Sequence, residues 1–216
     1  KTLTYLVGAV LMFSPLFVSG QAQLPFTMTE AALNDASIVV KKDAPTITWR
    51  GDNSGVQLGG KDNGFNYNDK YIDIAIDGIP DILSFKVISY GNSFFPVTEA
   101  EWYVKESSDN SNWSEKIVIS KASHQDALSS LFSVQLSSTT RYVRLCYSGN
   151  FGGAFCGINI TPKEFNLKVI HNDEVVRNEK VRPYTPITIA DPNVECYTFL
   201  GWDKEVPEIM PFEDLT

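Results

Sequence analysis

A chain of 216 residues that is 43% hydrophobic and 20% charged is globular in composition, with room for one medium domain and one small one. Its net charge of −8 repels phosphate backbones, and Lys41-Lys42 is its one adjacent basic pair. Those two facts exclude an electrostatic nucleic-acid interface and a basic helix lying on a membrane.

The N-terminus reads as a secretory signal. Lys1 supplies a positive start, residues 3–18 are almost wholly apolar, and Ser19-Gly20-Gln21-Ala22 places small residues where a signal peptidase inspects the chain. Cleavage is predicted after Ala22. The apolar run is shorter than the ~20 residues that span a bilayer, so no stable membrane span is expected after cleavage. The predicted destination is the cell exterior, secreted or surface-held, where disulfides are chemically available.

Residues 36–161 carry a β pattern throughout. Thr46-Ile47-Thr48-Trp49 alternates and runs into turn material, Gly51-Asp52-Asn53-Ser54-Gly55. Residues 71–77 alternate strictly, with Ile72, Ile74 and Ile76 on one face, and Gly78-Ile79-Pro80-Asp81 turns the chain. Further strands are predicted at 83–87, 102–106, 117–119, 132–136, 142–147 and 155–160, with a helical turn hinted only at 125–131. Many short strands between Gly, Asn, Asp and Ser clusters predict an all-β sandwich, and no strand–helix–strand rhythm appears. Cys146 and Cys156 flank a Gly-rich turn. They either face each other as a disulfide across neighbouring strands or serve as small buried apolar side chains.

Two segments resemble known families. Ser107-Ser108-Asp109-Asn110-Ser111-Asn112-Trp113, following an alternating strand, is similar to the hairpin of discoidin-like and galactose-binding-type jelly rolls. Arg141-Tyr142-Val143-Arg144 is similar to one of their strands. Asn110 stands where glycine is usual, and asparagine accepts left-handed turn geometry. The resemblance implies a jelly-roll β-sandwich over residues 23–162. From Pro162-Lys163 onward, Tyr197-Thr198-Phe199-Leu200-Gly201-Trp202 and Val206-Pro207-Glu208-Ile209-Met210-Pro211 resemble the Listeria–Bacteroides repeat, the internalin B-repeat of bacterial surface proteins. That resemblance implies a small β-grasp-like module over residues 163–216, anchored by Phe199 and Trp202. It would be one strand short at Thr216, and so prone to fraying.

Catalytic arrangements are hard to find. Asp73 and Asp77 share a strand face, but four residues at ~3.3 Å each put them roughly 13 Å apart. Glycosidase carboxylates need about 5–9.5 Å, so a solvated strand face is the better reading. A nucleophilic triad would have to recruit His124 or His171, and there is no Gly-x-Ser-x-Gly elbow and no phosphate loop. Two histidines and no Cys-x-x-Cys pair disfavour structural zinc. The oxygen-rich stretch with Asp62, Asn66, Asn68 and Asp69 could hold a structural calcium, but Tyr67 stands where an EF-hand needs glycine, and a plain solvent-exposed turn is the better reading.

Aromatic residues in turn-rich stretches are the remaining candidates: Phe65, Tyr67, Phe94, Phe95, Trp113 and Phe151. Sugar rings and protein partners both use such side chains, and the alternative is that some fold back over the ends of the sandwich. The expected function is that of an exported, non-catalytic surface or adhesion-type protein contacting a glycan or an extracellular protein surface. The competing expectation is a carbohydrate-binding accessory module of a secreted polysaccharide-degrading system.

Overall fold

A computed structural model describes residues 20–40, 47–58, 67–91, 96–193 and 198–216, with the backbone alone at 39, 40 and 67–69. The segment 1–19, and with it most of the expected signal, lies outside the described residues. The described residues form fourteen strands: β1 (Ala22–Gln23), β2 (Phe26–Thr27), β3 (Ile38–Val40), β4 (Ile47–Arg50), β5 (Gly55–Leu58), β6 (Tyr67–Asp77), β7 (Pro80–Tyr90), β8 (Ala100–Ser107), β9 (Ile117–Ser120), β10 (Phe132–Gln135), β11 (Tyr142–Gly149), β12 (Gly152–Pro162), β13 (Phe165–His171) and β14 (Glu174–Val181). One sheet runs β1-β6-β11-β8-β9, with β3 also paired along β6. The second runs β10-β7-β12-β5-β4, with β2 on β12, and β13–β14 form a separate two-stranded sheet. The helical turns among the described residues are short 3-10 segments, Ala31–Asn34 and Gly51–Asn53.

The first two sheets stack as a jelly-roll sandwich because each is apolar on one face. Ile72, Ile74 and Ile76 of β6 are fully buried and join Val143, Leu145 and Tyr147 of β11 and Trp102 and Val104 of β8. Leu83, Phe85 and Val87 of β7 meet them from the second sheet with Phe155, Ile158 and Ile160 of β12. Each fully buried isoleucine contributes about 1.5–3 kcal/mol relative to exposure. Trp102 sets an edge against Phe155 across the layers at 5.1 Å between ring centres and packs on Tyr147 at 4.3 Å. Gly153 makes room for this pair, since a Cβ there would lie 2.3 Å from Trp102 Cη2. The chain changes sheets between β6 and β7 through Gly78, whose φ of 99° suits only glycine.

The turn expected at residues 51–55 forms as the 3-10 segment Gly51–Asn53 with Ser54 left-handed, and it leads into β5, a strand that the sequence pattern did not mark and that is buried along its whole length. Two expectations meet a different outcome. No helix forms at 125–131, because His124 and Asp126 take φ of 42° and 54°, and left-handed residues cannot continue a right-handed helix. Gln125 accepts a hydrogen bond from the Val97 amide and ties that segment to the loop before β8. Ala22, the residue before the expected cleavage point, is buried in β1 and pairs with Ile76 of β6.

The cysteine bridge is the second. Cys146 and Cys156 are free, buried thiols. Cys146 alternates with Leu145 and Tyr147, which face the core from the first sheet, so it points out of that sheet. Cys156 follows the core residue Phe155 in the second sheet and packs outside the core with Ile88 and Ala154. The two thiols therefore lie on opposite outer faces of the sandwich, and the buried apolar reading holds. Burial pushes them up to about 12 and about 11 respectively.

Beyond Pro162 the β13–β14 hairpin turns at Asn172-Asp173, both left-handed at φ 50° and 65°, as a tight hairpin turn requires. Leu215 then lies parallel beside Leu167, its amide donating to the Asn166 carbonyl and its carbonyl accepting from Lys168, each at 2.9 Å. Asp214 adds bonds to the Asn166 amide and side chain at 2.7 and 2.9 Å. Phe199 and Trp202 form the expected pair, 5.1 Å between ring centres, but both are half-buried. The fully enclosed centre is Leu167, Val169 and Met210.

Candidate functional site

Strand register defines one end of the sandwich. Gly149 pairs with both Tyr67 and Ala100, Gly152 with Tyr90, and Gly153 with Leu58. The starts of β6, β8 and β12 and the ends of β5, β7 and β11 therefore sit together. These residues flank connections 59–66, 91–99 and 150–151, which carry four of the six aromatic candidates, and a fifth, Tyr67, opens β6 beside them. Of those five, Phe65, Phe94 and Phe95 lie outside the described residues, and Tyr67 is described by its backbone, which opens β6. Phe151 is half-buried against the core and so covers this end of the sandwich. Arg50, close by on the second sheet, lies 4.4 Å from the centre of the Tyr90 ring.

Trp113, the sixth candidate, is elsewhere. It follows β8 at the opposite end and lies over the outer face of the first sheet. Its loop is built by Asp109, whose carboxylate accepts the amides of Ser111 and Asn112 at 2.9 and 2.8 Å and the Asn112 side chain at 2.8 Å. Those bonds, chiefly the Asn112 amide, hold the Asp109 carboxyl well below the usual carboxylate range. Asn110 takes φ 63°, the geometry expected where glycine is usual. The loop delivers the Trp113 ring onto the Arg144 guanidinium at 3.9 Å, while Tyr71 lies on the same guanidinium at 3.7 Å.

Arg144 also explains Asp73. The carboxylate accepts Nε and Nη2 of Arg144 at 2.6 and 2.7 Å, and its side chain is only 4% exposed. The expected solvated strand face is thus overturned at Asp73, because the outer face is roofed by arginine and tryptophan. At Asp77 the carboxylate accepts the Gln23 amide at 2.7 Å. The sequence reading missed Arg144, Tyr71 and Tyr103 as members of this face. The signal was present: Arg144 sits opposite Asp73 and Lys105, and Cys146 opposite Tyr71 and Tyr103, in a three-strand row. Tyr142 also belongs to this outer face and is half-exposed. At the margin Glu101 accepts Lys116 at 2.6 Å and meets Lys121 at 3.5 Å; the Lys116 hydrogen bond leads in holding its carboxyl low.

The arrangement offers little to a reaction. His124 shares a hydrogen bond with the Ser120 hydroxyl at 2.8 Å, and that oxygen also accepts the Ala122 amide, so the pair closes a loop. Burial lowers the His124 pKa. Among the described residues no three His, Cys, Asp or Glu side chains converge as metal ligands. Of the candidate calcium ligands, Asp62 and Asn66 lie outside the described residues. Asn68 and Asp69 belong to β6 and not to a loop. No described helix is long and apolar enough to cross a membrane.

These elements define an all-β jelly-roll sandwich followed by a small β unit. No family model matches the chain, and no curated protein matches it. Solved structures similar to it include the K2 cleaved adhesin domain of Lys-gingipain, 15% identical, covering 63% of this chain and 99% of that one with a TM-score of 0.40. The K3 cleaved adhesin domain of Lys-gingipain from Porphyromonas gingivalis is 20% identical, covering 50% and 74%, with a TM-score of 0.37. A carbohydrate-binding module, CBM32-3 from a family 31 glycoside hydrolase of Clostridium perfringens, is 13% identical, covering 64% and 96%, with a TM-score of 0.37. A likeness of this extent carries neither a ligand nor a residue role to this chain.

Proposed function

We propose that this chain is an exported, non-catalytic binding protein whose sandwich contacts a glycan or an extracellular protein surface. The observation that carries the reading is the register at Gly149 and Gly152. It gathers the flanks of three aromatic-bearing connections at one end of a rigid sandwich. Binding residues concentrate on loops held by such scaffolds, where backbone is free of ladder pairing. The one deeply buried carboxylate described, Asp73, is neutralised by Arg144, which suits a structural role and not proton transfer.

The remaining parts follow from the sequence. The apolar N-terminal segment supports export, and the Gly201-Trp202 and Met210-Pro211 strings support a repeat-like C-terminal unit serving as spacer or second contact. The test is to probe the full chain on a glycan array and on immobilised extracellular-matrix proteins. Phe65→Ala and Phe95→Ala should abolish the contact found, while Trp113→Ala should weaken folding without abolishing it. Retained binding in both loop variants would overturn the assignment.

A further inference from the structure

The C-terminal hairpin leaves one strand edge open. Among the described residues β14 pairs with β13 alone, whereas β13 is met on its far side by Leu215. All of β14 is exposed except Arg177 and Val181, which are half-buried. Val175 and Val176 are 50% and 58% exposed. The direction of its main-chain groups follows from the register. Lys168 donates to the Leu215 carbonyl and Asn166 accepts the Leu215 amide, so both turn their main-chain groups away from β14. Asn178 and Lys180 lie opposite Lys168 and Asn166. Facing residues of an antiparallel ladder either bond each other or both point away, so Asn178 and Lys180 present N–H and C=O outward. No described main-chain bond beyond the hairpin reaches them. Such an edge is a template for another strand.

Charge selects which strand fits. Arg177 and Glu179 lie opposite Val169 and Leu167, on the face of the hairpin that carries the buried centre. Glu179 accepts Nε and Nη2 of Arg177 at 3.0 and 2.5 Å, both on Oε1, which leaves Oε2. The Thr188 carbonyl accepts Nη1 at 2.7 Å and holds the guanidinium in place. When a second β14 lies antiparallel with Asn178 facing Asn178, Arg177 of each copy falls opposite Glu179 of the other. The two asparagines exchange N–H and C=O. Val176 falls opposite Lys180, whose aliphatic stem covers it. Moving the axis to Arg177, Glu179 or Lys180 sets that charge against its own copy, and like charges directly opposite are destabilising. Val176 is the extra residue of a bulge, so the match covers residues 176–180.

We infer that β14 pairs with β14 of a second copy of this chain, antiparallel about Asn178, to form one sheet across a two-fold axis. So short a pairing buries less than the roughly 1,200 Å² of a stable interface, and the dimer is therefore weak and concentration-dependent. The inference goes beyond the function proposed above, since it needs no ligand. Its consequence is two sandwiches on one particle, which raises avidity for any surface the loop ends contact.

Sedimentation velocity on the full chain over a wide concentration range tests it, with melting curves to confirm that each variant is folded. Asn178→Pro removes an outward N–H and leaves the β13 ladder its bonds. Arg177→Glu makes the facing charges all acidic, and Glu179→Arg makes them all basic. The inference expects the unaltered chain to self-associate and each variant to weaken that about tenfold or more. An equimolar mixture of Arg177→Glu and Glu179→Arg should associate again, because opposite charges then face each other across the seam. The inference is overturned if the unaltered chain stays monomeric or if Asn178→Pro associates as strongly as it does. It is equally overturned if the mixture associates no better than its two components alone.

Discussion

Arg144→Ala is the most informative single change. It removes two hydrogen bonds of 2.6 and 2.7 Å to Asp73 and takes the guanidinium from between the Tyr71 and Trp113 rings. Deleting one partner of a buried ion pair costs about 3–5 kcal/mol, because the other charge stays buried and uncompensated. The Arg144 side chain is 18% exposed and that of Asp73 4%, so water reaches the arginine side and the lower figure of about 3 kcal/mol applies. For a domain of this size that corresponds to a fall in Tm of about 6–12 °C. Urea and thermal unfolding followed by circular dichroism measure it. The double change Arg144→Met with Asp73→Leu should recover most of the loss, since it buries no unpaired charge. A single variant that costs less than about 1 kcal/mol would refute the buried-pair argument.

Other outcomes follow from particular contacts. Trp113→Ala should destabilise by about 2 kcal/mol, half of what a fully buried tryptophan loses, and should leave ligand contact at the far end intact; equilibrium unfolding checks it. Gly153→Ala should cost about 1–3 kcal/mol by forcing a Cβ to within 2.3 Å of Trp102, read as a lower Tm. Both described thiols should resist iodoacetamide at pH 8 in the native chain and react fully in urea, as mass spectrometry would show; the same mass with and without reductant would confirm that they are unbridged. Because burial raises the thiols from about 9 to about 12 and about 11, the native state keeps protons that the unfolded chain loses. Stability should therefore be full below pH 9 and decline as pH rises from 9 toward 11, less so in Cys146→Ala; stability unchanged over that window would contradict the burial of both.

Much of the sandwich was legible because its strands obey period-two alternation: the isoleucines of residues 71–77 are all in the core. Short strands escaped for a physical reason. β1 and β2 span two residues each, too few to show a period, and β5 is buried at all four positions and so does not alternate; all three are placed by pairing with distant β6 and β12. The outer face of the first sheet was misread because alternation marks the side on which Asp73 lies and cannot show that a hairpin roofs it. Sequence proximity misled at the cysteines: ten positions apart along the chain, they sit in different sheets because the chain crosses the sandwich at residues 150–151. The Asp109–Trp113 loop was recognisable by its residue order, and Asn110 adopted the backbone that order demands.

Hydrogen–deuterium exchange on the full chain, free and saturated with whichever glycan or matrix protein it captures, tests the central claim most directly. The account predicts slowed exchange at residues 59–66, 91–99 and 149–152, with the strands behind them unchanged. Slowed exchange confined to the outer face around Trp113 and Arg144, or to the β13–β14 hairpin, would contradict it.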